Sequence, residues 1–426
     1  MLEFKVGPVT DWLKKIAAIG KFTEIDMTED VLYRPELWSL DPDVLHLNHG
    51  SFGACPSRIL ERHTQLRQQM ESNTSRFFEQ ELPELLETAR EALGLFLGAP
   101  AQDLVFVDNA TTGVSTVLAN LDLTDGDRIL VTDHGYNACS NAARFFANRA
   151  SAEIDVINLR FPGSDANEIV EEILGACTAR TRLLLIDHIT SPTALIMPLE
   201  VIIPAVQQRG IQVLVDGAHA PGMLPLRLTE LGADYYTGNC HKWMCAPKGT
   251  AFLYIRPEHQ LKFHPLIISH GMNRPVGDST RFRLEFDWIG TRDLTGFLTL
   301  PTLIGYMDGI SNEGWAGIMA RNRALAVEAR DLIGQELGLE PPCPVDMIGS
   351  LATVCLPNSK RTTLTDYHAI DPLKEILRHN HGIEVSLSAW PSPAGRYLRV
   401  SAQLYNSLSH YQQLTKALQL ELGRGH

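Results

Sequence analysis

An aspartate and a lysine in the middle of the chain have the types and spacing to do chemistry together. Asp216 ends an apolar run, and Lys242 lies 26 positions later in the loop Gly238-Asn239-Cys240-His241-Lys242-Trp243. A lysine amine can condense with the aldehyde of pyridoxal phosphate (PLP), while a carboxylate keeps the pyridine nitrogen protonated so that the ring accepts electrons. Apolar neighbours such as Trp243 favour desolvation of Lys242, which lowers a lysine pKa. The pair therefore predicts a PLP enzyme.

The segments around this pair predict the elements that must position it. Over residues 45–304, short β-branched or leucine-rich runs alternate with longer helical patterns, which is typical of βαβ units and a mostly parallel sheet. The predicted strands cover residues 104–107, 128–132, 154–158, 182–187, 212–216 and 251–255. The predicted helices cover residues 56–73, 82–97, 138–149, 168–177 and 200–209. We expect an α/β fold with a large PLP-binding domain over residues 46–304.

The remainder of the chain predicts a second, smaller α+β domain, built from residues 1–45 and 305–426. A chain of 426 residues exceeds the ~250 to 300 residues at which single cores stop growing, so two domains are expected. The predicted helices there cover residues 302–337, 372–381 and 410–422, and the predicted strands cover 351–356, 383–387 and 397–401.

Composition excludes several classes of partner. The 37 Lys and Arg residues against 50 Asp and Glu give a net charge of −13, and no basic stripe is present to bind nucleic acid. The first residues lack a signal-peptide pattern and no segment is apolar for long enough to span a bilayer, so we expect a cytoplasmic protein. Seven scattered cysteines without a CxxC pair predict reduced thiols, and no metal site is expected.

Three loops follow predicted strands, where ligands bind in open α/β sheets. Asn109, Thr111 and Thr112 open a helix whose amides could cradle a phosphate, although a plain helix cap explains them equally well. Tyr136 could stack on a pyridine ring or simply pack. His134 in the same loop, and Ser191 after the strand at 182–187, are further polar candidates.

Taken together, these motifs resemble class V (cysteine-desulfurase-like) aminotransferases of PLP fold type I, and within that class the isopenicillin N epimerase-like proteins. The resemblance runs from about residue 47 to residue 406. It is carried by Asn109-Ala110-Thr111, His134 to Ala138, Asp187-His188, Asp216-Gly217-Ala218-His219, His241-Lys242, Gly290-Thr291 and Arg399-Val400-Ser401.

The resemblance implies a role for each matching residue. Lys242 would bond covalently to PLP, Asp216 would pair with the pyridine nitrogen and Tyr136 would stack on the ring. His219, with Ser191 nearby, would face the phenolic oxygen, and Arg399 would bind the substrate carboxylate as a bidentate partner. The expected phosphate contacts are Asn109, Thr111, Thr112, Asn239, His241 and, from a neighbouring subunit, Thr291. The last of these implies a homodimer with shared sites.

The residues leave the outcome of the reaction open. The loop at residues 382–391, before Arg399, contains no cysteine, which disfavours desulfuration through a persulfide. Epimerisation of an amino acid needs proton donors on both faces of the α-carbon, and we expect Lys242 on one face and Tyr136 or His134 on the other. A C–S β-lyase and then an aminotransferase follow as alternatives, whereas the intact Lys242, Asp216 and Arg399 argue against a non-catalytic scaffold. The expected mouth of the substrate pocket contains Asn48, His49, Ser51 and His270.

Overall fold

The computed structural model describes residues 32–163, 165–277, 279–360, 370–390 and 395–425. Within these ranges the strands are β1 (Leu45–His46), β2 (Leu104–Val107), β3 (Arg128–Thr132), β4 (Glu153–Ile157), β5 (Thr181–Asp187), β6 (Gln212–Asp216), β7 (Tyr235–Asn239), β8 (Ala251–Ile255), β9 (Leu351–Leu356), β10 (Ile383–Glu384), β11 (Ser386–Trp390) and β12 (Gly395–Ser401). The longer α-helices are α1 (Ser57–Ser72), α2 (Leu82–Leu97), α3 (Ala110–Ala119), α4 (Asn137–Arg149), α5 (Ala166–Ala176), α6 (Leu199–Gln207), α7 (Arg281–Asp287), α8 (Leu300–Asp308), α9 (Gly314–Leu337), α10 (Pro372–His381) and α11 (Leu408–Gly423).

A seven-stranded sheet forms the centre of the molecule, in the order β2-β8-β7-β6-β5-β3-β4. Neighbouring strands from β7 to β4 are parallel, and β8 runs antiparallel to both β2 and β7. The predicted α/β class with a mostly parallel sheet is confirmed. Since parallel strands end at the same edge, Asp187 of β5 lies opposite Asp216 of β6, and Asp216 lies opposite Thr237 of β7. The sheet therefore brings the polar strand ends together.

Apolar side chains on both faces of this sheet are buried, as expected for parallel strands covered by helices. Leu184 and Val213 belong to one large core cluster, while Leu183 and Leu214 belong to a second cluster on the other face. The alternation of neighbouring residues between the clusters follows from the period of two in a strand. This double burial holds the strand ends in fixed positions.

The second sheet is antiparallel and carries Arg399. Its order is β11-β12-β9, with Arg399 of β12 opposite Thr353 of β9 and Ser386 of β11. A separate pair joins β1 to β10 in parallel, so the segment just before the large sheet pairs with the C-terminal half. Residues 1–31 of the predicted smaller domain lie outside the described residues, and the boundary between the two domains stays a prediction.

Among the elements that differ from the prediction, three show why local pattern failed. Strand β7 was not predicted, because Gly238 and Asn239 at its end are typical of a turn, although all its residues are buried. The helix expected over residues 302–337 is two helices, α8 and α9, because Asp308 caps the second helix by accepting from Trp315 N at 3.1 Å and Gly314 adopts a left-handed φ of 59°. The strand expected at 383–387 is divided between β10 and β11. In the part of the chain that the structure describes, no helix is long and apolar enough to cross a membrane.

Candidate active site

Lys242 lies in the loop after β7, within a cluster of charged side chains at the carboxyl edge of the sheet. Burial, and then the positive charge of Arg399, lower the pKa of Lys242 to about 8, while Asp216, Cys139 and Asp187 act in the opposite direction. Desolvation disfavours the charged ammonium. A substantial fraction of this amine is therefore uncharged near neutral pH, which is the form that can attack an aldehyde.

Two glycines hold the backbone of the lysine loop between them. A Cβ on Gly53 would lie 2.1 Å from the carbonyl oxygen of His241, and a Cβ on Gly222 would lie 2.5 Å from the backbone of Trp243 and Met244. Both glycines have positive φ angles, 69° and 85°, which residues with a side chain rarely adopt. The loop is thus fixed by close backbone contacts from two distant segments.

Asp216 is buried at the end of β6 and accepts two hydrogen bonds. The thiol of Cys139 donates to its Oδ2 at 3.0 Å, and the backbone N–H of Ala218 donates to its Oδ1 at 3.0 Å. On the adjacent strand, burial and then the charge of Asp216 raise the pKa of Asp187 well above its usual value. Asp187 therefore holds its proton more strongly than an isolated carboxyl, which reduces the repulsion between the two neighbouring acids. Asp216 accepts the hydrogen bonds of Cys139 and Ala218.

His219 lies between Lys242 and Trp243. Its Nε2 is 3.2 Å from Nζ of Lys242, and its Nδ1 accepts from the indole N–H of Trp243 at 3.3 Å. Burial, and then the charges of Lys242 and Arg399, lower the pKa of His219 well below its usual value. The imidazole is therefore neutral at physiological pH.

The start of helix α3 is capped by two asparagines. Asn109 Oδ1 accepts from the backbone N–H and the hydroxyl of Thr112, at 2.8 and 3.1 Å. Asn239 Oδ1 accepts from Ala110 N at 2.8 Å. Asn109 and Thr112 thus form the plain helix cap that the sequence left as one alternative. Thr111, between them, is half-buried, and its contact with a phosphate stays a prediction.

His241 and Asn239 each have one polar group that is not used in the contacts described for them. His241 Nδ1 donates to the carbonyl of Thr250 at 3.1 Å, so its Nε2 carries the lone pair. Burial, and then the charge of Lys242, lower the pKa of His241 to about 4. The amide nitrogen of Asn239 is the donor end of a side chain whose oxygen binds α3. Asn239 lies at the N-terminus of α3, where the helix dipole favours an anion.

Arg399 is held beside the cluster by two serines from different segments. Its Nη1 donates to the carbonyl and to Oγ of Ser191, the latter at 3.2 Å, and its Nη2 donates to Ser51 Oγ at 3.2 Å. Ser51 in turn donates to Asn48 Oδ1 at 2.7 Å. The structure therefore joins Ser51 and Ser191 to Arg399, and places Asn48 behind Ser51.

Tyr136 and His134 lie in the same loop but in different environments. Tyr136 precedes helix α4 and is 41% exposed, and Asp216 and Arg399 are among the charges that act on its pKa, which burial raises. His134 is fully buried, with Nδ1 2.7 Å from Thr193 Oγ1 and Nε2 3.3 Å from the carbonyl of Leu159. Both ring nitrogens of His134 are hydrogen-bonded and burial lowers its pKa to about 4, so a proton-transferring His134 stays a prediction.

His49, which the sequence placed at the mouth of the substrate pocket, has no exposed side-chain surface. Its Nε2 is 3.0 Å from the carbonyl of Lys242, and its Nδ1 is 2.8 Å from the hydroxyl of Tyr405. His49 therefore supports the lysine loop, and its contact with a substrate stays a prediction.

Thr291 is exposed and lies apart from the lysine cluster within one chain. It lines a groove of about 1260 Å³ together with His270, Trp288, Arg67 and Arg274. His270 thus shares a groove with Thr291, and Ser51 and Arg399 are not in its lining. That Thr291 serves the site of another subunit stays a prediction.

The sequence prediction missed three contributors to the site. Cys139 follows Tyr136 by one helical turn, and that spacing could have placed its thiol near the same ligand. Trp243 was considered only as an apolar neighbour, although its indole N–H contacts His219. The close backbone contacts of Gly53 and Gly222 with the lysine loop could not be predicted from the sequence, since they depend on segments far apart in the chain.

The set of donors fits PLP. The amine of Lys242 is uncharged in part, the carboxylate of Asp216 is buried, and the neutral His219 presents a ring nitrogen to that amine. The N-terminus of α3, with Thr111 and Asn239, lies at the same edge and suits a phosphate. Bound there, PLP would be held by Lys242 and Asp216 and would supply the electron sink for reactions at an amino-acid α-carbon.

Comparison with known proteins identifies the family. The family model "Aminotransferase class-V" matches residues 53–386. The chain is 32% identical to isopenicillin N epimerase of Amycolatopsis lactamdurans, over 89% of this chain and 96% of that protein. It is 30% identical to the probable chloroplastic L-cysteine desulfhydrase of Arabidopsis thaliana, over 89% of this chain and 83% of that protein.

Solved structures share the fold. A cysteine desulfurase from Escherichia coli superposes with a TM-score of 0.75 at 21% identity, covering 93% of this chain and 99% of that one. A cystine C–S lyase gives a TM-score of 0.73 at 20% identity, covering 88% and 97%. The predicted PLP fold type I is confirmed, and the family match together with the donor set supports PLP as the cofactor. The chain belongs to the aminotransferase class-V family.

Proposed function

We propose that this chain is a PLP-dependent amino-acid epimerase, which removes the α-proton from one face of its substrate and returns a proton on the other. The observation that carries the proposal is one cluster that contains an amine able to accept a proton, Lys242, an exposed phenol, Tyr136, and a guanidinium, Arg399. Epimerisation requires two proton-carrying groups, and a carboxylate-binding group orients the α-carbon between them.

Each group has a defined task. Lys242 has a pKa of about 8. When the substrate amine has taken its place on PLP, Lys242 is the base that removes the α-proton. Tyr136, whose pKa is raised by burial, keeps its proton at neutral pH and donates it to the opposite face. Arg399 binds the substrate carboxylate with Ser51 and Ser191, whose hydroxyls fix the plane of the guanidinium. Tyr136 is favoured over His134 as the second proton donor because it is 41% exposed, whereas His134 is fully buried.

The relatives support proton transfer at an amino-acid α-carbon and favour two outcomes. Similarity to isopenicillin N epimerase supports epimerisation. Similarity to plant L-cysteine desulfhydrases favours a C–S β-lyase as the second candidate, because β-elimination begins with the same proton removal. Persulfide chemistry has little support, since burial raises the pKa of both Cys343 and Cys355, the cysteines preceding Arg399, to about 11, and thiolate is the nucleophilic form.

Incubation of the purified enzyme with L- and D-amino acids in D2O tests the proposal. Deuterium at the α-carbon with inversion of configuration supports epimerisation, whereas release of pyruvate and sulfide from cysteine supports the lyase. Lys242→Ala is the control for all exchange. Tyr136→Phe should abolish inversion while leaving exchange with retention, and equal rates of inversion in both proteins would refute the role of Tyr136. A colourless protein whose absorbance does not change on addition of PLP would refute the proposal that the chain is a PLP-dependent enzyme.

We further propose that the enzyme acts as a homodimer with Thr291 completing the partner's site. Support comes from the exposed Thr291 in its groove and from a nearby exposed apolar segment that contains Ile267, Ile268 and Met272. Exposed apolar groups at this density commonly mark a protein interface. Light scattering should give twice the mass of one chain for the native protein. Ile268→Asp, which places a charge in the exposed apolar segment, should give the mass of one chain. A monomer that binds PLP with full affinity would contradict the shared site.

A further inference from the structure

Trp243, His219 and Lys242 form a line of three side chains joined by nitrogen atoms. The indole Nε1 of Trp243 is 3.3 Å from His219 Nδ1, and His219 Nε2 is 3.2 Å from Lys242 Nζ. The Trp243 and His219 side chains are buried, at 1% and 2% exposure. Water therefore does not compete for either nitrogen of the imidazole.

The chemistry of the indole decides where the imidazole proton lies. An indole nitrogen only donates, so Nδ1 of His219 must accept and carries no hydrogen. The ring is neutral, and a neutral imidazole has one N–H, which must then be on Nε2. His219 consequently presents a donor, and not a lone pair, to Lys242.

We propose that Trp243 is a positioning residue that selects the tautomer of His219, so that Nε2–H is held as a donor toward the reacting amine. An Nε2–H donor stabilises the uncharged amine, which accepts through its lone pair, whereas an Nε2 lone pair would stabilise the ammonium. The selection of tautomer stands on the contacts of these three residues, while its role in the reaction rests on the function proposed above.

Packing fixes the indole in the donating position. The ring of His49 lies 4.9 Å from that of Trp243, at an interplanar angle of 53°, and the backbone of Trp243 is in close contact with Gly222. Trp243 cannot turn its N–H elsewhere without displacing these neighbours. A residue that served only to fill the core would need the volume of the indole but not its N–H, and this difference can be tested.

The test replaces the N–H of Trp243 while keeping its shape. Site-specific incorporation of β-(3-benzothienyl)alanine exchanges the indole N–H for sulfur and preserves the volume. The same analogue at Trp315, whose indole donates to the carbonyl of Ile304 at 3.1 Å, is the matched control. The spectrum of His219→Gln, which lacks the His219 signals, identifies those signals in the native protein.

The first measurement is the tautomer, read from two-bond ¹H–¹⁵N correlations of ¹⁵N-histidine in protein freed of PLP. We expect His219 in the Nε2–H form in the native protein and in the Trp315 control, and an Nδ1–H population in the Trp243 analogue. An unchanged Nε2–H form in the Trp243 analogue would overturn the proposal. This outcome does not depend on what reaction the enzyme catalyses, so it is separate from failure of the proposed function.

The second measurement is the pH midpoint for the bonding of PLP to Lys242, followed by visible absorbance. Loss of the donor should raise the midpoint by about one pH unit (about 1.4 kcal/mol), because the uncharged amine loses a donor and the ammonium gains an acceptor at Nε2. The charges of Arg399, Asp216 and Asp187 are the same in both proteins. With His219→Gln, whose amide donates and accepts irrespective of tautomer, the analogue should produce no further shift. A changed tautomer with an unmoved midpoint would show that Trp243 does not act on Lys242.

Discussion

Removing the charge of Arg399 should change the pH at which PLP bonds to Lys242. Burial is the first cause of the lowered pKa of about 8, and Arg399 is the second. At that pKa roughly one amine in ten is uncharged at pH 7, against about one in three thousand at the ordinary value of 10.5, a difference of ~300-fold. Arg399→Gln should move the midpoint upward, but it should stay below 10.5 because the desolvation remains.

The assay follows visible absorbance after PLP is mixed with cofactor-free protein between pH 6 and pH 10. The rate of bonding should rise with pH and level off above about pH 8 in the native protein, because the uncharged amine is the attacking form. Arg160→Gln, which removes an exposed arginine paired with Glu168, controls for net charge. A native midpoint near 10, or the same midpoint in Arg399→Gln, would refute the account of how this lysine is activated.

Three other substitutions have defined expected outcomes. Gly53→Ala should abolish PLP binding in an absorbance titration, because its Cβ would lie 2.1 Å from His241 O. Gly210→Ala, which is also at positive φ but has nothing within 4 Å of its Cβ, should retain binding. Equal binding by both variants would contradict the idea that Gly53 holds the backbone of the lysine loop. Cys139→Ala should weaken PLP affinity by about fivefold through loss of one hydrogen bond to Asp216, and an unchanged dissociation constant would contradict a role for the thiol. Asp371→Asn should lower the free energy of unfolding in urea by about 3 to 5 kcal/mol because it leaves the buried Arg396 without its carboxylate, and a loss under 1 kcal/mol would contradict that estimate.

The chemistry-bearing residues at strand ends could be predicted from the sequence. Asp216 ends an apolar run whose pattern is local, Lys242 was identified by its Gly/Asn/His loop, and strands β2, β3, β6 and β8 have the predicted bounds. Strand β7 escaped because its Gly and Asn are typical of turns, even though its neighbours in the sheet bury every residue. Local pattern identifies a strand best when its own residues favour that conformation.

Assignments that depended on burial were less secure. His49 and His134 are polar residues in the loops expected to line the site, yet both are fully buried and hydrogen-bonded. A sequence does not show which side of a loop faces the pocket. Contacts such as Cys139 to Asp216, 77 positions apart, arise only when the sheet brings its strand ends together, and no local pattern contains them.

The hydrogen bonds of His49 link the lysine loop to the C-terminal part of the chain. His49 joins the carbonyl of Lys242 to the hydroxyl of Tyr405, and His49 and Tyr405 are 356 positions apart. Tyr405 lies near the C-terminal end of the chain and Lys242 near its middle, so the support that His49 gives to the lysine loop is complete only when the segment around Tyr405 has docked.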